Sequence, residues 1–128
     1  MAQTIALVDD DRNILTSVQM ALEAEGFAVR TYGSAAALLA DGPPPDAACL
    51  VVDVRMPGLG GVELCEQLHA AGRALPTVFV TAHGTEGLGS LALQGAPVLE
   101  KPVDGERLVE AIVAARLARG PARTPAAQ

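Results

Sequence analysis

Tryptophan is absent from this 128-residue chain, tyrosine occurs once and phenylalanine twice. A core of aromatic anchors is therefore excluded, and the interior has to pack as layers of Val, Leu and Ala. Half of the residues are hydrophobic, and 24 of those are alanine. Bases are also scarce: nine Lys and Arg stand against fifteen Asp and Glu, for a net charge of −6. That balance repels a polyanion at long range and argues against nucleic acid as the ligand. The two cysteines, Cys49 and Cys65, lie in apolar runs without a CxxC or a His/Cys cluster, which argues against a disulfide framework and a structural zinc site. No apolar stretch is long enough to span a bilayer, and Met1-Ala2-Gln3-Thr4 has neither the basic start nor the apolar run of a secretion signal. The expectation is a soluble, cytoplasmic, single-domain protein with no membrane contact.

What is present is an alternation. Thr4 to Val8 is a continuous β-prone run of the kind buried on both faces of a parallel sheet, and it ends in Asp9-Asp10-Asp11. From Asn13 to Glu25, Ile14, Leu15, Val18, Ala21 and Leu22 recur at helical spacing before a Gly26 stop. Phe27–Tyr32 predicts a second strand, and Ser34 is placed to cap a short helix over Ala35–Ala40. Cys49–Asp53 predicts a third strand, Gly61–Ala71 a helix, and Pro76–Thr81 a fourth strand. The next helix is weak: Gly84, Gly87 and Gly89 each cost roughly 1 kcal/mol against Ala in a helix interior, so the expectation is a short helix over Ser90–Gln94 or a frayed one. Pro97–Glu100 predicts a fifth strand. Asp104 then opens a helix whose Leu108, Val109, Ile112, Val113 and Leu117 make an apolar stripe expected to be mostly core. Residues 1–119 form the expected domain, and 120–128 have the composition of a flexible tail.

Strand and helix alternating five times predict a parallel sheet covered on both faces, with ligands beyond the carboxyl ends of the strands. The residues at those ends carry the chemistry. The first strand is followed by Asp9, Asp10 and Asp11, the third ends in Asp53, the fourth in Thr81, and the fifth in Lys101-Pro102. Lys101 is the only lysine in the chain, against eight arginines. Two like charges 4 Å apart cost roughly 4 kcal/mol at an effective dielectric near 20, so Asp9, Asp10 and Asp53 need raised pKa values or a cation between them. A hard divalent ion held by carboxylates and water suits magnesium. Carboxylate nucleophile, metal, ammonium and hydroxyl are the parts required for phosphoryl transfer to an aspartate.

Four motifs carry a family resemblance: Val8-Asp9-Asp10-Asp11, Val52-Asp53-Val54-Arg55-Met56-Pro57-Gly58-Leu59-Gly60-Gly61, Val80-Thr81-Ala82-His83 and Glu100-Lys101-Pro102. In this order and spacing the chain resembles the receiver domain of bacterial two-component response regulators from about Thr4 to Leu117. The resemblance implies a flavodoxin-like, doubly wound, five-stranded parallel sheet in the order 2-1-3-4-5. It implies Asp53 as phosphoacceptor, with a histidine kinase or histidine phosphotransfer protein as donor. Mg²⁺ would be bound by Asp10, Asp53 and the backbone carbonyl of Arg55, with Asp9 acting through a water. Lys101, the Thr81 hydroxyl and the Ala82 N–H would hold the phosphoryl oxygens. Arg55 and His83 would tune how long the acyl phosphate survives slow self-dephosphorylation, and the Lys101–Pro102 bond would be cis. The family's switch pairs the Thr81 position with an aromatic three residues before the lysine; here that residue is Val98, and the stretch from Thr81 to Lys101 is shorter than usual. The expected output is protein–protein contact, from a stand-alone receiver or one cut from a longer regulator, with a homodimer as a further candidate partner.

Competing functions draw on some of the same residues. Asp9-x-Asp11 fits the nucleophile motif of a small haloacid-dehalogenase-like phosphatase using Asp9, but no later acidic motif follows and Asp53 is left unexplained. A flavodoxin-like electron carrier would set an FMN phosphate against three carboxylates. A degenerate receiver acting as a passive binding module conflicts with the complete set of acids, threonine and lysine. Asp11 reads as a helix-start acid, His69 as a surface residue, and Cys49 and Cys65 as small core residues.

Overall fold

The computed structural model describes residues 3–82 and 96–118. β1, β3, β4 and β5 are short, largely apolar runs that end in or run directly into a polar residue, whereas the edge strand β2 carries Arg30 and Thr31. The elements in chain order are β1 (Thr4–Val8), α1 (Arg12–Ala24), β2 (Ala28–Tyr32), α2 (Ala35–Asp41), β3 (Ala47–Asp53), α3 (Gly61–Ala70), β4 (Thr77–Thr81), β5 (Val98–Glu100) and α4 (Gly105–Ala118). The weak helix expected at Ser90–Gln94 and the tail at 120–128 lie outside the described residues, so α4 denotes the last helix. All strand pairings are parallel, and the sheet order is β2-β1-β3-β4-β5, as the sequence motifs implied.

Successive strand residues point to opposite faces, which splits the interior into two cores. Ile5, Leu7, Cys49, Val51, Val78 and Val80 face α1 and α4, where they meet Val18, Leu22, Leu108 and Ile112. Ala6, Val8, Leu50, Val52 and Phe79 face α2 and α3, where they meet Leu38, Leu64 and Leu68. Both cysteines are free; Cys49 is buried with its thiol pushed up to about 12 by desolvation, and Cys65 is half-buried.

The helix boundaries follow from capping. Asp11 accepts at Oδ1 from the Asn13 N–H (2.9 Å) and the Ile14 N–H (3.4 Å), so it is the N-cap of α1, the helix-start role expected of it. Ser34 Oγ likewise accepts from the Ala37 N–H at 3.0 Å. Gly26 follows α1 with φ +96°, a conformation an L side chain adopts only with strain.

Two expectations need correction. The third strand begins at Ala47, two residues before the predicted Cys49, because β3 pairs with both β1 and β4 and its first residues are drawn into the ladder at Thr4. On α4, Val113 and Leu117 are exposed rather than core, while Ala111 and Ala115 are buried beside Leu108 and Ile112. A 100° step per residue carries positions 113 and 117 past the edge of the buried stripe, and hydropathy alone ranks Val and Leu above Ala at any position. Among the described residues, no helix is long and apolar enough to cross a membrane.

Candidate functional site

The parallel strands end together, and their C-terminal residues are tied sideways by backbone hydrogen bonds. The Asp9 N–H donates to the Tyr32 carbonyl (3.2 Å), Val54 N–H to Val80 (2.9 Å) and Lys101 N–H to Thr81 (2.8 Å). This lacing brings Asp9, Asp53, Thr81 and Lys101 to one edge of the sheet, and Asp10 follows directly from β1. The Lys101–Pro102 peptide bond is cis, as the resemblance implied.

Oxygen atoms from Asp9, Asp10 and Asp53 all lie within 4.8 Å of one another. Asp9 and Asp53 are buried, whereas Asp10 is exposed. Lys101 Nζ sits between the two buried acids, 2.9 Å from Asp9 Oδ2 and 3.3 Å from Asp53 Oδ2. The other oxygen of each acid takes a backbone donor: Asp11 N–H to Asp9 Oδ1 at 2.9 Å, and Arg55 N–H to Asp53 Oδ1 at 3.3 Å. Asp9 is thus committed at both oxygens to protein partners, while Asp10 turns to solvent.

The electrostatics follow from this crowding. Burial raises the Asp53 pKa, the charge of Asp9 raises it further, and Lys101 and the Arg55 N–H offset only part of the rise. For Lys101, burial works to lower the pKa, but the hydrogen bond and charge of Asp9 and then of Asp53 outweigh it, so the ammonium is held above its ordinary range. Three carboxylates facing one ammonium leave a formal excess of two negative charges when all are ionised. An all-oxygen donor set with that excess fits a hard dication such as magnesium.

Thr81 is buried at the end of β4, paired in register with Glu100, and Ala82 is exposed beyond it. Val98 is half-buried, paired in register with Phe79, and packs into the α2/α3 core. His83 lies outside the described residues. His69 is exposed on α3, as expected.

One residue of this site went unrecognised in the sequence. A Cβ placed on Gly61, at the first turn of α3, would lie 2.4 Å from the backbone oxygen of Asp53. The Gly60-Gly61 pair directly before an amphipathic segment was the available signal; a helix rarely starts on two glycines without a packing reason.

A doubly wound sheet with clustered acids, a threonine and a lysine at its carboxyl edge defines a phosphoacceptor-type α/β signalling domain. The family model of the response regulator receiver domain matches residues 5–113, and the chain belongs to that family. The transcriptional regulatory protein FixJ of Azorhizobium caulinodans is 39% identical over 110 residues, which cover 84% of this chain and 52% of that protein. The C4-dicarboxylate transport transcriptional regulatory protein DctR of Rhodobacter capsulatus is 33% identical over 133 residues, covering 96% of this chain and 68% of that one. The crystal structure of FixJ-N superposes with a TM-score of 0.80 at 32% identity, over 91% of this chain and 95% of that one. The chain spans about half the length of the FixJ relatives it matches. The phosphatase alternative built on Asp9 finds no support among these relatives.

Proposed function

We propose that this receiver domain accepts a phosphoryl group on Asp53 from the phosphohistidine of a histidine kinase or a histidine phosphotransfer protein. A carboxylate oxygen of Asp53 attacks phosphorus, the P–N bond breaks, and its electron pair returns to the donor imidazole. The product is an acyl phosphate on Asp53. Lys101 pairs with the oxygens of the arriving group, the Thr81 hydroxyl and the Ala82 N–H donate to them, and Arg55 and His83 set the lifetime against slow hydrolysis. Asp10, Asp53 and the Arg55 carbonyl are the groups that would hold Mg²⁺, with Asp9 one water removed; the ion would supply positive charge to the transferring phosphoryl.

The observation that carries this reading is the placement of Lys101 Nζ 3.3 Å from Asp53 Oδ2, within the cluster of three acids. The only lysine of the chain lies beside the carboxylate whose depth and donor set suit phosphorylation. The net charge of −6 supports signalling through protein contacts, including a homodimer, rather than through nucleic acid at this domain. A cytoplasmic setting fits a donor of that kind.

Labelling with acetyl phosphate and Mg²⁺, followed by peptide mapping, tests the assignment. The expected result is one phosphoryl group on Asp53, dependent on Mg²⁺ and abolished in Asp53→Asn. Phosphate on Asp9, or undiminished labelling of Asp53→Asn, overturns it.

A further inference from the structure

We infer that Gly61 is a positioning residue for the phosphoacceptor, setting the pose of Asp53 through a contact that tolerates no side chain. The inference rests on the proposed role of Asp53. Glycine commonly serves a left-handed turn, but that reason is missing here: among the described residues the glycines with positive φ are Gly26, Gly42, Gly58 and Gly72. What Gly61 provides is proximity. A Cβ at this position would lie 2.4 Å from the Asp53 carbonyl oxygen, 3.1 Å from its carbonyl carbon and 3.2 Å from Val52 Cγ2. The first two are backbone atoms of the acceptor itself, which cannot swing aside as a side-chain tip would.

The same glycine is bonded into the lacing at the strand ends. Its N–H donates to the Val54 carbonyl at 3.0 Å, and the Val54 N–H donates to Val80, the residue before Thr81. The start of α3 therefore presses on the acceptor peptide from behind while holding the residue that follows it. A displaced Asp53 peptide would carry the carboxylate away from two contacts that are already long, the 3.3 Å bonds from Arg55 N–H and Lys101 Nζ. Phosphoryl transfer depends on in-line placement, so a small displacement is costly in rate.

The neighbouring glycine supplies the control. A Cβ on Gly60 would meet the Glu63 Oε1, a flexible side-chain end, at 2.7 Å and the Val54 carbonyl at 3.0 Å, with no atom of Asp53 among its nearest neighbours. Gly60 also has φ −82° and ψ 177°, which alanine adopts readily. Gly60→Ala and Gly61→Ala thus perturb the same helix start, and one of them reaches the acceptor.

The test is the rate of acetyl phosphate labelling at saturating Mg²⁺, per folded molecule as measured by circular dichroism. Gly61→Ala is expected to slow labelling by about tenfold or more, while Gly60→Ala keeps the wild-type rate. Adding Val52→Ala to Gly61→Ala removes the Val52 Cγ2 contact but leaves the clash with the Asp53 carbonyl, so the double variant is expected to stay slow per folded molecule. Wild-type rates in folded Gly61→Ala, or full recovery on adding Val52→Ala, make the contact one of packing and overturn the assignment. Where Gly61→Ala is partly unfolded, trimethylamine oxide restores the compact state for the same measurement; a variant that stays unfolded there shows a folding residue, and the assignment falls. Asp53→Asn, run in parallel, separates the two ideas: labelling that survives it overturns the acceptor role and this inference with it, whereas labelling lost there but unchanged in folded Gly61→Ala overturns the positioning alone.

Discussion

The two edges of the sheet solve opposite problems. At the amino edge, polar side chains pair one to one: Thr4 Oγ1 donates to Asp46 Oδ2 at 2.9 Å, and Arg116 donates to Gln3 Oε1 at 2.6 Å. At the carboxyl edge, one ammonium serves two buried acids, and a third acid lies within reach of both. The amino edge is electrostatically satisfied and the carboxyl edge is not. Stability is lost where charge is left over, and that surplus is what a cation and a phosphoryl group can exploit.

Removing the single counter-ion should break this contrast most severely. Lys101→Met keeps the apolar stem and strips the charge, leaving Asp9 and Asp53 facing each other. Urea unfolding without divalent ion is expected to show a loss of about 2–3 kcal/mol, which millimolar Mg²⁺ partly restores by binding the folded state. The pKa of Lys101 is raised, so its stabilising contribution is fully present below the ordinary value of 10.5 and disappears as pH climbs through the folded value above it. The gap between wild type and variant therefore stays constant through neutral pH and closes in strong alkali.

Asp53→Asn sharpens the contrast in the opposite direction. The raised pKa means that the fold prefers Asp53 protonated. That preference helps stability below the ordinary value of 3.8 and is lost as pH rises through the folded value. At neutral pH the ionised acid is a burden, and replacing it with a neutral amide of the same shape should raise the melting temperature by about 2–5 °C while abolishing labelling. Thermal melts from pH 4 to pH 8 should show the advantage of the variant growing with pH; a lower melting point at pH 7 would mean that Lys101 neutralises Asp53 fully.

The parallel sheet was legible because apolar runs ending in Asp9, Asp53 and Thr81 mark strands and their carboxyl ends at once, whereas the strand order was implied only by the family resemblance of the four motifs. The acid–lysine constellation was legible for the same reason: strand ends converge whatever lies between them. The contact at Gly61 was not, because it depends on the distance between α3 and the Asp53 backbone, which no local pattern reports. Nor was the second partner of Lys101, since the shorter of its two ion pairs runs to Asp9 and not to the acceptor. The apolar stripe of α4 is core at Leu108, Val109 and Ile112 but not at Val113 and Leu117, because helical angle and not residue type sets burial, and alanines at 111 and 115 hold the core positions.

The smallest effect expected is at the satisfied edge. Thr4 is buried and Asp46 exposed, so Asp46→Ala removes the acceptor and leaves a threonine hydroxyl to find water at the rim of the sheet. A single hydrogen bond to a solvent-accessible carboxylate contributes about 1 kcal/mol, and urea unfolding should register that much loss. Labelling of Asp53 should keep its wild-type rate and Mg²⁺ dependence, because β1 lies between the two edges as a buried strand paired on both sides. If Asp46→Ala slowed labelling, the edges would be coupled through β1, and the division between a satisfied edge and a frustrated one would fail.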